Sequence, residues 1–563
     1  QNRRQFGFTD SVSCNVAAFQ HCTDTKSPLL ITYMDMSKAF NVVDHDSALL
    51  HLFHQGITDH LWRCYNNLYT DITSVIKWKG AYSSPFEEGQ GIRQGAKSST
   101  EIFKSRSNPL LDKLSTHPDG FRIGHLNLGA VMVADDLALV SSTPKGMQSL
   151  VMEAEQDASR ERFSFSQTKT KSMSLKNRVP LNHQQIQLYG KDIELSSQET
   201  HLGIIRTNDA KNSATIAARI QCARRTAYQL MGAGLHGANG VGPIVCKHIW
   251  ATYIMPRLSH GLEALVLLRK DLDTLEEFYL RCLRNLQVLP RSTAIPAIYL
   301  LLGVPPLEAQ VHVKTLTFFM STLRRTESLE YELIQRQLVM KSQSSRSWVW
   351  YIQDLLGTYH LPNALELLHN QPSKLAWKRA VKDAVFTHWE KKLKEEASAK
   401  KTLDLLNIKA CNLSMAHPVW QIGAAGPITV LKATTKAKLL VQRYPLHYSR
   451  TAGLQYQQPC PVCKATQETL QHFLLECPAL DNARQHPLQE FTKTLLDVYP
   501  SYQNTPEGLV RVIMDPSILP IASANKYLEE MSRELVFSLH HSRSTLQGLS
   551  INLHKFPKNL LQR

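Results

Sequence analysis

Two aspartates stand side by side inside an otherwise apolar run, Val131-Met132-Val133-Ala134-Asp135-Asp136-Leu137-Ala138-Leu139-Val140. Apolar residues on both sides of a short polar break predict two strands of a hairpin, with both acids at its tip. Neighbouring carboxylates repel and resist burial. A divalent cation relieves that conflict, because magnesium takes oxygen ligands and keeps waters or phosphates in its remaining positions. Taken alone, the pair also reads as an exposed Asp-Asp turn.

A second apolar segment, Leu29 to Met36, predicts a strand that delivers Asp35 at its end, with Ser37-Lys38-Ala39-Phe40 turning away behind it. Between the two acidic strands lies Gln90-Gly91-Ile92-Arg93-Gln94-Gly95. Its glycines let backbone approach a ligand, and Arg93 and Gln94 offer donors suited to phosphates and bases. Strand-Asp, Gly-rich loop and Asp-Asp hairpin in that order have a joint chemical use. Acids from neighbouring strands can clamp two metal ions about 3.5 to 4 Å apart, which stabilise an attacking oxygen and a leaving pyrophosphate in an in-line displacement.

Around these motifs the pattern is that of an α+β domain. Strands are predicted at Leu29 to Met36, Asp71 to Lys79, Leu128 to Ala134, Leu137 to Ser141, Lys171 to Lys176 and His201 to Ile205. Helices are predicted at Asp46 to Gly56, Asp59 to Leu68, around Thr100 to Leu114, and Lys145 to Glu161. After about Thr207 the chain turns predominantly helical, with Ile216, Ile220, Thr226 and Leu230 on one face and Leu275, Phe278, Tyr279 and Leu283 on another. Trp348, Trp350, Tyr351 and Trp377 have basic neighbours in Arg346, Lys378 and Arg379. They read first as core aromatics, and second as platforms for stacked bases.

Near the C-terminus Cys460-Pro461-Val462-Cys463, His472 and Cys477 have the spacing of a tetrahedral zinc site, closed by four ligands and therefore structural. The other seven cysteines, Cys14, Cys22, Cys64, Cys222, Cys246, Cys282 and Cys411, share no pattern and read as reduced thiols. Hydrophobic residues make up 43% and charged residues 20%, a composition that excludes a disordered tail and predicts folding over most of the length. With 64 Lys and Arg against 48 Asp and Glu, the net charge of +16 suits a polyanionic partner. No apolar stretch approaches the roughly 18 to 20 residues that span a bilayer, so no membrane partner is expected.

Several of these motifs resemble one family, the reverse transcriptases of non-long-terminal-repeat, LINE-like retrotransposons. Asp35-Met36-Ser37-Lys38-Ala39-Phe40-Asn41-Val42-Val43-Asp44-His45 resembles its first catalytic motif, Gly91-Ile92-Arg93-Gln94-Gly95 its second, and Val133-Ala134-Asp135-Asp136 its aromatic-x-Asp-Asp box. Thr168-Lys169-Thr170-Lys171 is similar to the following motif and Thr200-His201-Leu202-Gly203-Ile204 to the primer-grip turn. Gln5-Phe6-Gly7-Phe8 looks like a fingers segment whose first part is cut off, and a chain opening on Gln1 suggests missing upstream sequence. Departures are Asn41 at a usual acid, Val133 at the aromatic, Ala96-Lys97-Ser98-Ser99 in place of an apolar run, and a polar helix at Phe103-Lys104-Ser105-Arg106-Ser107.

The resemblance implies RNA-directed DNA polymerase activity with Mg2+ or Mn2+ held by Asp35, Asp135 and Asp136. It implies Phe40 as steric gate against a ribose 2′-hydroxyl, Arg93, Gln94 and Gly95 as template and nucleotide contacts, and Lys169 as partner of the leaving pyrophosphate. RNA template, DNA primer and dNTPs would be the partners, and the nucleus and cytoplasm the location. The implied layout is a right-hand polymerase: partial fingers and palm over 1–207, helical thumb over 208–340, helical connector over 341–450 and a zinc-knuckle region over 451–563, a segment thought to hold nucleic acid in similar polyproteins. Two other readings stay open: a catalytically inactive, retroelement-derived RNA-binding protein, favoured by the polar substitutions, and a polymerase that copies DNA.

Overall fold

The apolar runs around residues 30, 132, 139 and 173 become neighbours in one sheet. The structure is a computed structural model that describes residues 8–93, 95–178, 186–236, 241–340, 345, 347–422, 426–446 and 459–549. These residues form two compact units, the first of 1–218, 261–268 and 314–377, the second of 219–260, 269–313 and 378–563.

In the first unit, helix α1 (Phe8–Thr25) is followed by strand β1 (Leu30–Asp35) and helices α2 (His45–His54), α3 (Asp59–Tyr69) and α4 (Lys97–Thr116). Then come β2 (Ala130–Val133), β3 (Asp136–Ser141), α5 (Pro144–Arg160), β4 (Lys171–Ser174), β5 (Glu194–Leu195) and the hairpin β6 (Gln198–His201) with β7 (Ile204–Thr207). The sheet order is β5-β4-β1-β3-β2, antiparallel throughout except for the parallel β4–β5 pair.

Both sheet faces are covered, which is why its strands are apolar without clean alternation. Leu30, Met34, Met132, Leu137 and Leu139 pack with Ala48, Phe103, Leu110 and Leu150 on one side. Ile31, Tyr33, Val131, Ala138 and Val140 pack with Ala17, Phe19 and Cys22 on the other. Each leucine so buried contributes about 1.5–3 kcal/mol. The buried Thr32 and Ser172 hydroxyls lie 2.7 Å apart across β1 and β4 and satisfy each other. Helix α5 starts where Thr143 accepts a hydrogen bond from the Gly146 N–H, with Pro144 in the first turn.

Two predicted strands turn out to be hairpins. Residues 71–79 do not form one strand: Thr73–Ser74 pairs with Phe86–Glu87 and Lys77–Trp78 with Ala81–Tyr82, because Lys79 and Gly80 both take positive φ and reverse the chain. His201 to Ile205 likewise straddles a turn, with Leu202 and Gly203 at positive φ between β6 and β7. Propensity marks such segments as extended without marking the reversal.

The polar stretch of α4 has a structural account. Ser107 Oγ donates to the Phe103 carbonyl at 2.6 Å. Arg106, only 3% exposed, donates to the Glu161 carbonyl at 2.6 Å and lies over the Phe163 ring. Glu161 also accepts from Ser47 and lies 3.1 Å from His51 Nε2. Burial alone would raise the Glu161 pKa, but the His51 and Ser47 hydrogen bonds and the Arg106 charge outweigh it and hold it at about 2.

The second unit is helical, and the predicted face of Leu275, Phe278, Tyr279 and Leu283 is buried. The face predicted for the helix at Ser213–Gly232 drifts: Ile216, Ala223 and Ala227 are buried, whereas Ile220, Thr226 and Leu230 are half-buried. Residues 216, 223 and 227 keep the 3.6-residue period that the jump from 220 to 226 breaks. Among the described residues no helix is long and apolar enough to cross a membrane. None of the ten cysteines forms a disulfide, and burial pushes the Cys22, Cys282 and Cys411 thiols up to about 12, which makes them poor nucleophiles.

Candidate active site and metal centre

Register builds the acidic site. Asp35 at the end of β1 is the direct antiparallel partner of Asp136 at the start of β3, and Val133 pairs with Asp136 across the β2–β3 hairpin. Ala134 and Asp135 form the two-residue turn, with Ala134 at φ +55°, a conformation an L-residue adopts only at a cost. The register therefore sets Asp35 directly opposite Asp136, with Asp135 next to it in the turn, although the three carboxylates are not gathered as tightly as the cluster of Cys460, Cys463, His472 and Cys477. Burial first, and then the charges of Asp135 and Asp35, raise the Asp136 pKa, with Lys169 opposing. Such electrostatic conflict is what a bound cation removes, and hard carboxylate oxygens suit magnesium or manganese.

Lys169 reaches the same site. Ser37 N–H donates to the Ser164 carbonyl and Ser166 N–H to the Asp35 carbonyl, so the segment after α5 is tied to the end of β1. From there Lys169 Nζ donates to Asp35 Oδ2 at 2.9 Å while its side chain stays mostly exposed. That hydrogen bond and the charges of Asp35, Asp135 and Asp136 raise its pKa.

The Gly-rich loop is fastened to the segment behind Asp35. Gly91 N–H donates to the Val43 carbonyl at 2.7 Å, Ile92 N–H to the Phe40 carbonyl at 2.9 Å, and Gln90 bridges Asp44. Gly91 lies at φ +101°, and a Cβ there would sit 3.0 Å from the Asn41 carbonyl oxygen, so this position needs glycine twice over. Arg93 is exposed, and Gly95 has φ +89° with open space where a side chain would begin. Gln94 lies outside the described residues, as do Gln5 to Gly7 and Arg346. Phe40 is half-buried, its ring stacked on Phe103 with centroids 5.0 Å apart.

His45 was not singled out in the sequence, yet it joins the two motifs. Its Nε2 lies 2.7 Å from the Gly91 carbonyl oxygen, so that nitrogen donates, and its ring packs on Tyr69 at 5.0 Å. Its signal in the sequence was its place directly after Asp44, whose carboxylate caps α2 by accepting from Ser47 N–H.

The second cluster is in the other unit. Cys460, Cys463, His472 and Cys477 place their ligand atoms within 4.8 Å of one another, the one such group of three or more among the described residues. Cys460 Sγ and Cys477 Sγ are 3.9 Å apart, and Cys463 Sγ is 3.4 Å from His472 Nε2. A tetrahedron with zinc–sulfur bonds near 2.3 Å and zinc–nitrogen bonds near 2.0 Å has edges of about 3.5–3.8 Å, so the four ligands fit zinc. Thr466 Oγ1 lies 3.0 Å from His472 Nδ1 and fixes which ring nitrogen faces the cluster. The Cys460–Cys463 knuckle closes through Cys460 N–H to the Thr466 carbonyl and Lys464 N–H to the Cys460 carbonyl.

Trp348 and Trp377 are core residues: their indole N–H groups donate to the Glu263 and Leu316 carbonyls at 3.1 and 3.0 Å. Of the two readings of these aromatics, the packing one describes them.

Residues 1–204 match the family described as reverse transcriptase (RNA-dependent DNA polymerase). These residues are a reverse-transcriptase domain. Over 124 residues the chain is 32% identical to the retrovirus-related Pol polyprotein from type-1 retrotransposable element R2 of Nasonia vitripennis, a match covering 21% of this chain and 12% of that polyprotein. Among solved structures, telomerase from Candida Tropicalis in complex with a TWJ fragment of telomeric RNA is similar at 10% identity and a TM-score of 0.31, over 67% of this chain and 53% of that one. The Candida albicans telomerase complex is similar at 10% identity and a TM-score of 0.27, over 60% and 55%. The chain spans about half of those telomerases and about an eighth of the polyprotein.

Proposed function

We propose that the chain is an RNA-directed DNA polymerase of a retrotransposon, acting on an RNA template, a DNA primer and dNTPs in the nucleus and cytoplasm. The observation that carries this reading is the pairing of Asp35 with Asp136 beside a strained turn that presents Asp135. A binding protein gains nothing from three acids facing a nucleic-acid backbone, and here the sheet register enforces that cost. Magnesium or manganese held by these carboxylates supplies the charge that the primer 3′ oxygen and the departing pyrophosphate need.

The protein groups divide the remaining work. Lys169, already at Asp35, is placed to meet the pyrophosphate and to give it a proton or a charge partner. The loop from Gly91 to Gly95, fastened to Val43 and Phe40, lines up template and nucleotide through Arg93, Gln94 and the Gly95 backbone. Phe40, held by Phe103, screens the ribose 2′ position. The regions after residue 207 are assigned as thumb, connector and zinc-knuckle tail, the last closed by structural Zn2+ on Cys460, Cys463, His472 and Cys477.

The test is primer extension on poly(rA)/oligo(dT) with magnesium or manganese, beside an Asp135→Ala, Asp136→Ala double variant. Incorporation of dTTP by the wild type and its loss in the variant is the expected result. No incorporation from folded, zinc-loaded, RNA-binding protein would overturn the polymerase assignment.

A further inference from the structure

The hairpin of residues 73–87 is exposed at every position but Ser74, and several of its exposed side chains are large and apolar. Trp78 is 72% exposed, Tyr82 64% and Ile76 61%. Val75 and Phe86, 48% and 45% exposed, add to them, so the hairpin presents a run of uncovered apolar side chains, the kind of surface that receives a partner. Its turn and pairing are well defined. Lys79 and Gly80 both adopt positive φ, Lys77 pairs with Tyr82, Trp78 pairs with Ala81, and Ser83 N–H donates to the Ile76 carbonyl at 2.9 Å.

Strand alternation gives the two faces different chemistry. On one, Lys77 Nζ lies 5.4 Å from the Tyr82 ring centroid. On the other, Trp78 has only the methyl group of Ala81 opposite, so its ring is open to a flat partner. No acid occurs between Asp71 and Glu87, and the charges in that interval are Lys77 and Lys79, one on each side of Trp78 in the chain. Aromatic rings bracketed by cations bind unpaired bases: the ring stacks, the lysines take the phosphates, and sequence matters little. At its root the hairpin is fixed by Glu88 N–H on the Ile72 carbonyl, and it runs directly through Gly89 into the loop that Gln90 and Gly91 fasten behind Asp35.

We propose that this hairpin is a single-strand platform on which Trp78 stacks an unpaired base of the template, with Lys77 and Lys79 on the flanking phosphates. The proposal rests on the polymerase reading for the word template, and on the hairpin alone for the stacking. A protein partner or second copy would more naturally bring acidic or apolar groups along the whole face, whereas the interval here is acid-free and narrow.

The test measures fluorescence anisotropy of two labelled poly(rA)/oligo(dT) duplexes, one with unpaired template nucleotides and one blunt, repeated with a DNA template strand. Trp78→Ala is expected to weaken binding of the overhanging duplex about five-fold or more and leave the blunt duplex unchanged, with Trp78→Phe retaining most of the affinity. Lys77→Ala with Lys79→Ala is expected to lower the slope of log affinity against log salt by about 1 to 2. Equal binding of the overhang by wild type and Trp78→Ala overturns the platform, as does a Trp78→Ala protein whose only change is a switch from dimer to monomer. Primer extension run beside it separates the two readings: an overhang effect without dTTP incorporation sinks the polymerase and leaves the platform, and incorporation without an overhang effect does the reverse.

Discussion

Lys169 and Gly91 show how single residues carry the site for different reasons. Lys169 is exposed, and on the proposed reading it acts by charge, so Lys169→Ala should leave folding untouched and lower the dTTP incorporation rate about 10²-fold or more, with Lys169→Arg recovering part of it. A rate unchanged within two-fold, measured by single-turnover extension, would remove it from the chemistry. Gly91 acts by having no side chain: Gly91→Ala forces a Cβ to 3.0 Å from the Asn41 carbonyl at φ +101° and should cost about 1–3 kcal/mol, read as a lower Tm. Glu161 gives a pH signature. Its folded pKa of about 2 lies below its ordinary 4.5, so the stability it adds is present above about pH 4.5 and is lost as pH falls towards 2. Acid titration followed by circular dichroism should show that loss, and Glu161→Gln should remove this part of the pH dependence.

At the scale of elements, the cysteine–histidine cluster depends on a helix far along the chain. Arg543, on the helix Ala522–Leu546, donates to both carboxylate oxygens of Glu468, Nε at 2.5 Å and Nη2 at 2.9 Å, with both side chains buried. Arg484 Nη2 holds the Cys477 carbonyl at 2.7 Å. Removing one partner of a buried ion pair strands the other, so Arg543→Ala should destabilise this region by about 3–5 kcal/mol. Zinc titration should then give one ion per chain for the wild type and weaker retention against a chelator for Arg543→Ala. Equal retention by both would show that the cluster holds its shape without the helix. The hairpins at 73–87 and 198–207 belong to this scale too: their extended halves were legible as apolar or β-branched runs, while their reversals depend on positive φ at Lys79, Gly80, Leu202 and Gly203, and lysine and leucine carry no signal for that.

For the molecule as a whole, the excess of 16 positive charges predicts that RNA binding weakens steeply with salt. Binding of poly(rA) measured between about 50 and 200 mM salt should fall by orders of magnitude, and a flat response would argue against phosphate contacts as the main attraction. The division into units also belongs here. Residues 261–268 and 314–377 fall in the same unit as the first 218, although they are separated from them in sequence by helical segments of the other unit. Leu333, for example, joins the core that also contains Cys22, Ile31 and Val140.

The residues alone were enough for the acidic strands, the Gly-rich loop and the cluster of three thiols and an imidazole, because each is a local pattern: an apolar run ending in an acid, a glycine where backbone must come close, thiols and an imidazole at ligand spacing. They were also enough for most helices of the first unit, whose periodicity is written along one element. What required the tertiary structure was everything set by pairing between distant segments. The partnership of Asp35 with Asp136, the reach of Lys169 to Asp35, the bond from His45 to Gly91 and the burial of Arg106 against Glu161 depend on register and packing over tens of residues or more. Exposure is decided in the same way: Trp348 and Trp377 are covered and Trp78 is not, though all three are tryptophans in mixed polar and apolar surroundings, because only the fold determines which neighbours lie across from each ring.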